Sequence, residues 1–289
     1  DGFQDREDSG VIGAWSTPIL VKDGDKEILV MSFPMELKAF APKTGKVLWS
    51  CEGLNPLVYT SPVAADGMIV AMGGYHGNSI GATSDGERLW QVPKTYTTYG
   101  VGSHPRLPGY LLHVGGDLAI YRHDRTRVRT HFETTYAFPM FVGKGLLLPD
   151  DAGRPSVIAA GTRKRGDVPT VRSMDEKGKT VWDATLPSPV TALALLEPKG
   201  KPRLVVVTTE AGELMIADDG GALLWRGMMP GVETGRRNAV YQLSAGEVAA
   251  GSYAVMVKLL GRGDLYPLSL DALPDQEAKA GASSSNAGG

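Results

Sequence analysis

Apolar and polar positions alternate along this chain with the two-residue period of strands, in short runs parted by turn residues. The first such unit reads STPILV, KEILVMS, ELKAFA and KVLWSCE, which predicts four strands in about 42 residues. Its last two strands are joined by a tight turn, PKTG, and later units carry SDGE, DEKG and DDGG at the same place. These residues tolerate positive φ or bond their own backbone, so each marks a hairpin.

The units repeat. Glycine, three residues and tryptophan recur at Gly45 to Trp49, Gly86 to Trp90, Gly178 to Trp182 and Gly221 to Trp225, covering four of the five tryptophans. Trp49 to Trp90 is 41 residues and Trp182 to Trp225 is 43, while the 92 between Trp90 and Trp182 leave room for two units. A degenerate copy is read at Arg122 to Arg129, with Arg125 at the glycine position and Arg129 at the tryptophan position. Pro18, Pro62, Pro105, Pro139 and Pro189 run in phase, each read as opening a unit, since proline is tolerated at the first residue of a strand. A sixth unit spans 238–270, with a turn at Gly261 to Asp264 and no tryptophan.

A four-stranded sheet of this size cannot bury both faces alone, so copies must stack, and radial stacking is the common solution. The expected fold is all-β, a β-propeller of about six four-stranded blades, or seven or eight if blades are missing from this chain. Residues 15–272 are assigned to the propeller and 1–14 to an N-terminal segment that could add a closing strand. Residues 273–289, ending AKAGASSSNAGG, are assigned to a flexible tail. The recurring tryptophans are read as structural, filling the wedge between adjacent blades.

Composition narrows the function classes. Glycine and proline number 37 and 19 of 289 residues, as a turn-rich fold requires. A net charge of −2 gives no general attraction to nucleic acid or anionic lipid. No apolar run is long enough for a membrane helix, and the single Cys51 excludes an intrachain disulfide. The start at Asp1 shows neither signal peptide nor initiator methionine and is read as that of a processed or excised piece.

AFAPKTGKVLW, Ala39 to Trp49, resembles the tryptophan-docking repeat of the pyrroloquinoline-quinone-like (PQQ-like) propellers, in which Ala39, Thr44, Gly45 and Trp49 match and Ala41 replaces an aspartate. The stretch Trp15 to Tyr75 is similar to bacterial PQQ-like repeat proteins, and beyond Trp90 the likeness thins to blade spacing. The resemblance implies a propeller working outside the cytoplasm, periplasmic or at the cell surface. That family holds quinoprotein dehydrogenases, the propeller lipoprotein of the outer-membrane assembly machinery and many other extracytoplasmic proteins. The dehydrogenases typically have eight blades, a vicinal disulfide under the cofactor and carboxylate and amide ligands for calcium. One cysteine, about six blades and no C-x-x-C-H argue against that chemistry here.

No catalytic or metal constellation stands out. His76, His104, His113, His123 and His131 lack metal spacing, no G-x-S-x-G is present, and Asp23, Asp25 and Glu27 read as a solvated hairpin rather than a calcium loop. Arg165 to Asp167 and Arg262 to Asp264 spell Arg-Gly-Asp, which turn chemistry explains.

Two surfaces are candidates. Arg125, Arg127, Arg129 and His131 alternate with Thr126, Val128, Thr130 and Phe132, placing the basic groups on one strand face where an anionic partner could dock. Ser16, Thr17, Thr60, Ser61, Ser103, His104, Phe138 and Ser188 precede the unit-opening prolines and are assigned to a channel mouth. The expected function is that of a non-catalytic scaffold with a protein partner and no cofactor, metal or nucleic acid. The alternative is a degenerate or partial quinoprotein dehydrogenase domain.

Overall fold

The computed structural model describes residues 13–58, 60–73, 77–93, 98–115, 118–124, 126–134, 144–161, 169–229, 240–259 and 262–268. Among them there are strands and turns and no helix. A short strand β1 (Gly13–Ala14) is followed by a four-stranded antiparallel sheet of β2 (Ile19–Asp23), β3 (Lys26–Phe33), β4 (Glu36–Phe40) and β5 (Val47–Glu52). Strand β6 (Leu57–Val58) pairs in parallel with β1. The second sheet holds β7 (Val63–Ala65), β8 (Met68–Met72), β9 (Ser79–Ala82) and β10 (Arg88–Val92). The third holds β11 (Thr98–Gly102), β12 (Tyr110–Gly115), β13 (Leu118–His123) and β14 (Val128–Thr134).

The fourth sheet comprises β15 (Lys144–Pro149), β16 (Pro155–Gly161), β17 (Thr170–Met174) and β18 (Thr180–Thr185). The fifth comprises β19 (Val190–Leu196), β20 (Leu204–Thr209), β21 (Glu213–Asp218) and β22 (Leu223–Met228). The last holds three described strands, β23 (Val240–Ala249), β24 (Ser252–Leu259) and β25 (Arg262–Leu268). Within each of the six larger sheets consecutive strands are neighbours, the simplest meander.

Middle strands carry unbroken apolar runs because both their faces are covered. MIVAM on β8 and LVVVTT on β20 are buried at every residue. The outer strands β5, β18 and β22 alternate and stay largely exposed. Neighbours among the first four sheets pack face to face, as the repeat argument requires. Val30, Leu37 and Ala39 of the first lie in one core with Ile69, Ala71 and Ile80 of the second. Val70, Met72 and Trp90 join Leu111, Ala119 and Tyr121 of the third, and Leu112 and Ile120 join Val157 and Ala159 of the fourth. The described residues fall into two compact units, one running to 167 with 173–181 and the other comprising 168–172 and 182 onward. In the second unit Val206 and Leu214 share a core with Val255 and Val257.

The structure corrects the repeat reading in three places. Pro18, Pro62 and Pro189 stand one residue before β2, β7 and β19, whereas Pro105 follows β11. It occupies the second position of a turn closed by the Leu107 amide donating to the His104 carbonyl, 2.9 Å, a place proline favours because its φ is preset there. The 43-residue spacing from Pro62 is therefore a coincidence of loop length, and Pro139 lies outside the described residues.

The second correction concerns the tryptophan position in the third sheet. The outer strands β5, β10 and β22 each have one extra residue just before the tryptophan, so that Trp49 opposes Ala39, Trp90 opposes Gly81 and Trp225 opposes Ile216. In the third sheet the residue after this bulge is Phe132, opposite Ile120, while Arg129 pairs with Arg122 nearer the hairpin end. The hairpin arm is longer there, which displaces the apparent alignment. Third, Arg262 to Asp264 belong to β25 and pair with Leu259 to Val257, so they are strand rather than turn.

Candidate interaction surfaces

The hydroxyls assigned to a channel mouth are engaged with backbone. Ser16 Oγ donates to the Ser32 carbonyl (2.9 Å) and accepts from its amide (3.1 Å), tying the start of the first sheet to β3. Thr60 Oγ1 donates to the Met72 carbonyl in the second sheet. Ser61 Oγ accepts from the Thr17 amide at 2.7 Å, so two of the assigned residues meet and join neighbouring sheets. Ser103 Oγ lies 3.5 Å from the Ala64 carbonyl, another link between neighbours. His104 Nδ1 accepts from the Arg106 amide at 3.1 Å within its own turn. Because that turn follows β11, Ser103 and His104 sit at the opposite end of their sheet's first strand from Thr17, Thr60 and Ser61. In the second unit Ser188 Oγ accepts from the Ala211 amide, 3.0 Å. Phe138 lies outside the described residues.

The tryptophan repeat has a geometry that sequence spacing alone did not show. Two of the motif glycines, Gly86 and Gly221, receive the tryptophan of the preceding sheet, not their own. Trp49 of β5 lies against Gly86, whose φ is +88°, and its Nε1 donates to the Ser84 carbonyl at 2.8 Å. In the second unit Trp182 lies against Gly221, also at φ +88°, and donates to the Asp219 carbonyl at 2.8 Å. A β-carbon at either glycine would approach the ring to 2.7 Å, so only glycine fits.

Trp90 departs from this pattern. The turn it would meet spans Asp124 to Arg127 and carries no glycine. The indole is instead buried, 7% exposed, over Gly81 of its own sheet, with Nε1 unpartnered among the described residues. Trp225 also stays on its own strand, over Gly227, and is 46% exposed. Leu223 (57%) and Met228 (46%) are also exposed on β22, on the opposite face from Trp225, so this edge strand shows apolar surface on both sides.

The basic segment is reorganised by its turn. Asp124 Oδ1 accepts from the Thr126 amide (2.8 Å), the Thr126 hydroxyl (2.6 Å) and the Arg127 amide (3.0 Å). These bonds, the hydroxyl's foremost, hold the Asp124 carboxyl at a pKa of about 2. Arg127 Nε reaches Asp124 Oδ2 at 3.4 Å, so Arg127 belongs to the turn rather than to a strand face. Arg125 lies outside the described residues. Arg129 and His131 are exposed on β14. The alternation missed Arg122 of β13, which opposes Arg129 directly, and Tyr110 of β12, which opposes Arg122. The Arg122 guanidinium lies 5.7 Å from the Tyr110 ring centre, and His131 meets that ring edge-on at 5.3 Å.

The remaining histidines are dispersed. His113 is buried on β12 beside Tyr121; His123 is 5% exposed, with both ring nitrogens unpartnered among the described residues; His76 lies outside them. Burial lowers the His123 pKa, with Asp66 and Asp124 pulling weakly the other way. Asp23 accepts from the Ser84 hydroxyl and Glu27 pairs with Lys22 at 3.2 Å, so the Asp23 to Glu27 hairpin ties the first sheet to the second. Among the described residues no three His, Cys, Asp or Glu side chains are grouped to hold a cation. Cys51 is buried on β5, and burial raises its pKa. With no second cysteine in the chain, the residues present do not fit a quinone seated on a vicinal disulfide.

No protein-family model matches the sequence, and no curated protein matches it. Solved structures do match the fold. Sqt1 of Saccharomyces cerevisiae aligns with a TM-score of 0.65 at 11% identity, over 89% of this chain and 75% of that one. BBS1N, crystallised in complex with ARL6DN, aligns at 0.60 and 12% identity, over 89% and 79%. BamB from Moraxella catarrhalis aligns at 0.54 and 14% identity, over 86% and 69%. Meander sheets stacked face to face, and their match to these proteins, establish that the chain is a β-propeller.

Proposed function

We propose that this propeller is a non-catalytic protein-binding scaffold of the PQQ-like type, working outside the cytoplasm. The exposed apolar edge of β22 carries the reading. Trp49 and Trp182 are docked with their indole N–H groups bonded, whereas Trp225 stands exposed on β22, an edge strand whose other face exposes Leu223 and Met228. An aromatic anchor in an apolar setting is what protein interfaces concentrate their energy on. The PQQ-like assignment is supported by Ala39 to Trp49, whose tryptophan docks on the next sheet's glycine. BBS1N, of the same fold, was crystallised with a protein partner, which makes protein binding a natural use of this architecture. The extracytoplasmic location rests on the family resemblance alone.

The test is site-specific photo-crosslinking from position 228, on the same edge strand as Trp225, in cells that make the protein, with fractionation of the adducts. A discrete protein adduct lost on Trp225→Glu, recovered outside the cytoplasm, is the expected result. Saturable binding of pyrroloquinoline quinone in the presence of calcium would overturn the non-catalytic part of the reading.

A further inference from the structure

We propose that Tyr110, Arg122, Arg129 and His131 form a recognition site for an extended acidic segment of a protein partner. The site rests on the reading of the chain as a protein-binding propeller and lies away from the β22 edge, in the third sheet. Tyr110, Arg122 and Arg129 are successive cross-strand partners on β12, β13 and β14. Directly opposed residues of antiparallel strands project from the same face, so the row presents a phenol and two guanidinium groups side by side. His131 joins them, since its ring meets that of Tyr110.

Two features mark the row as built for a ligand rather than for the fold. Like charges directly opposed across a ladder destabilise a sheet, and among the described residues neither Arg122 nor Arg129 has a carboxylate partner to relieve the opposition. Protection of an exposed edge explains Arg129 on the edge strand β14. It does not explain Arg122, because β13 is an interior strand of the order β11-β12-β13-β14. An anion seated between or above the two arginines offsets their mutual repulsion. Their ordering differs as well: the Tyr110 ring flanks the Arg122 guanidinium, pre-setting its direction, while Arg127 is held by Asp124 in the turn and is not available to the row.

The dimensions favour a peptide. Adjacent strands lie about 4.8 Å apart, so the row runs about 10 Å from Tyr110 to Arg129. Alternate residues of an extended peptide put carboxylates about 6.6 Å apart on one face, close enough for one to meet each arginine in fork geometry. The charge is local: the chain as a whole is at −2, so attraction is confined to this patch.

The test uses the full chain and a fluorescein-labelled hexapeptide alternating glutamate and serine, read by anisotropy in 20–300 mM salt. Saturable binding at low salt is expected, weakened by salt, at least tenfold weaker in Arg122→Gln/Arg129→Gln and unchanged in Arg127→Gln. The double variant keeps every buried contact, and its melting curve reports that it is folded. Equal binding by the double variant, or none by the wild-type chain, overturns the site. Displacement of the peptide by millimolar inorganic phosphate, or equal binding of an oligothymidylate, would assign the row to a phosphate oxyanion and overturn the peptide. If the Trp225-dependent adduct survives while peptide binding fails, this site falls alone; if the adduct fails while the peptide binds, the β22 edge falls alone.

Discussion

The indole N–H of Trp49 donates to the carbonyl of Ser84, 35 residues further on and in the next sheet, at 2.8 Å. This bond sets the ring on Gly86, where an added β-carbon would lie 2.7 Å from it, in a backbone conformation with φ +88°. Gly86→Ala therefore meets both a strained φ and a steric clash, and is expected to cost about 2–4 kcal/mol. Gly45 also has positive φ, +69°, but nothing among the described residues lies within 4 Å of its added β-carbon. Gly45→Ala is expected to cost only the backbone term, about 1–2 kcal/mol. Urea denaturation of the two variants separates the contributions, and equal losses would mean that the docked tryptophan yields without cost.

Opposed arginines make a second prediction, on stability rather than binding. Arg129→Gln removes the like-charge opposition to Arg122 and is expected to raise stability by about 0.2–1 kcal/mol at low salt. The gain should shrink as salt is added, because exposed charges are screened. Thermal melts at 20 and 500 mM salt check this, and a loss of stability at low salt would contradict it.

His123 predicts a pH dependence. Its pKa is lowered by burial from an ordinary value of 6.5, so the unfolded chain takes up a proton at higher pH than the folded one. Stability is then level above about pH 6.5 and falls as pH drops through the unfolded value toward the folded one, at no more than about 1.4 kcal/mol per pH unit for one proton. His123→Phe removes that component. Urea midpoints at pH 7.5 and 5.5 should diverge more for the wild-type chain than for the variant.

The pattern of apolar and polar positions already carried most of the fold. The first sheet's four strands fall where STPILV, KEILVMS, ELKAFA and KVLWSCE place them, since alternation and turn chemistry are both local. What depends on register was not legible. The bulge at His131 and the longer hairpin arm put Phe132 where the tryptophans stand, and no local feature of RHDRTRVR signals an extra residue. Pro105 showed how a residue suited both to strand starts and to turns can fall in phase by spacing alone. The basic surface was half legible: period two exposed Arg129 and His131, but Arg122 and Tyr110 belong to it only through pairing across strands. The docking of Trp49 and Trp182 on the following sheet's glycine was likewise invisible, because the motif keeps its own glycine four residues away.

Trp49 and Trp90 occupy the same motif, yet they should respond unequally to the same substitution. Trp49→Phe deletes a hydrogen bond to Ser84 and leaves a partly buried carbonyl without that donor, at an expected cost of about 1–3 kcal/mol. Trp90→Phe also loses ring volume from the core with Val70, Leu111 and Tyr121. It simultaneously removes a buried N–H that has no partner among the described residues. The desolvation cost of such a donor is itself about 1–3 kcal/mol, so the two effects offset and the net change is expected to be under about 1 kcal/mol. Paired denaturation curves decide it. A loss at Trp90 as large as that at Trp49 would mean that packing over Gly81 outweighs the unmet donor, and that the inward turn of this indole stabilises the propeller as much as docking does.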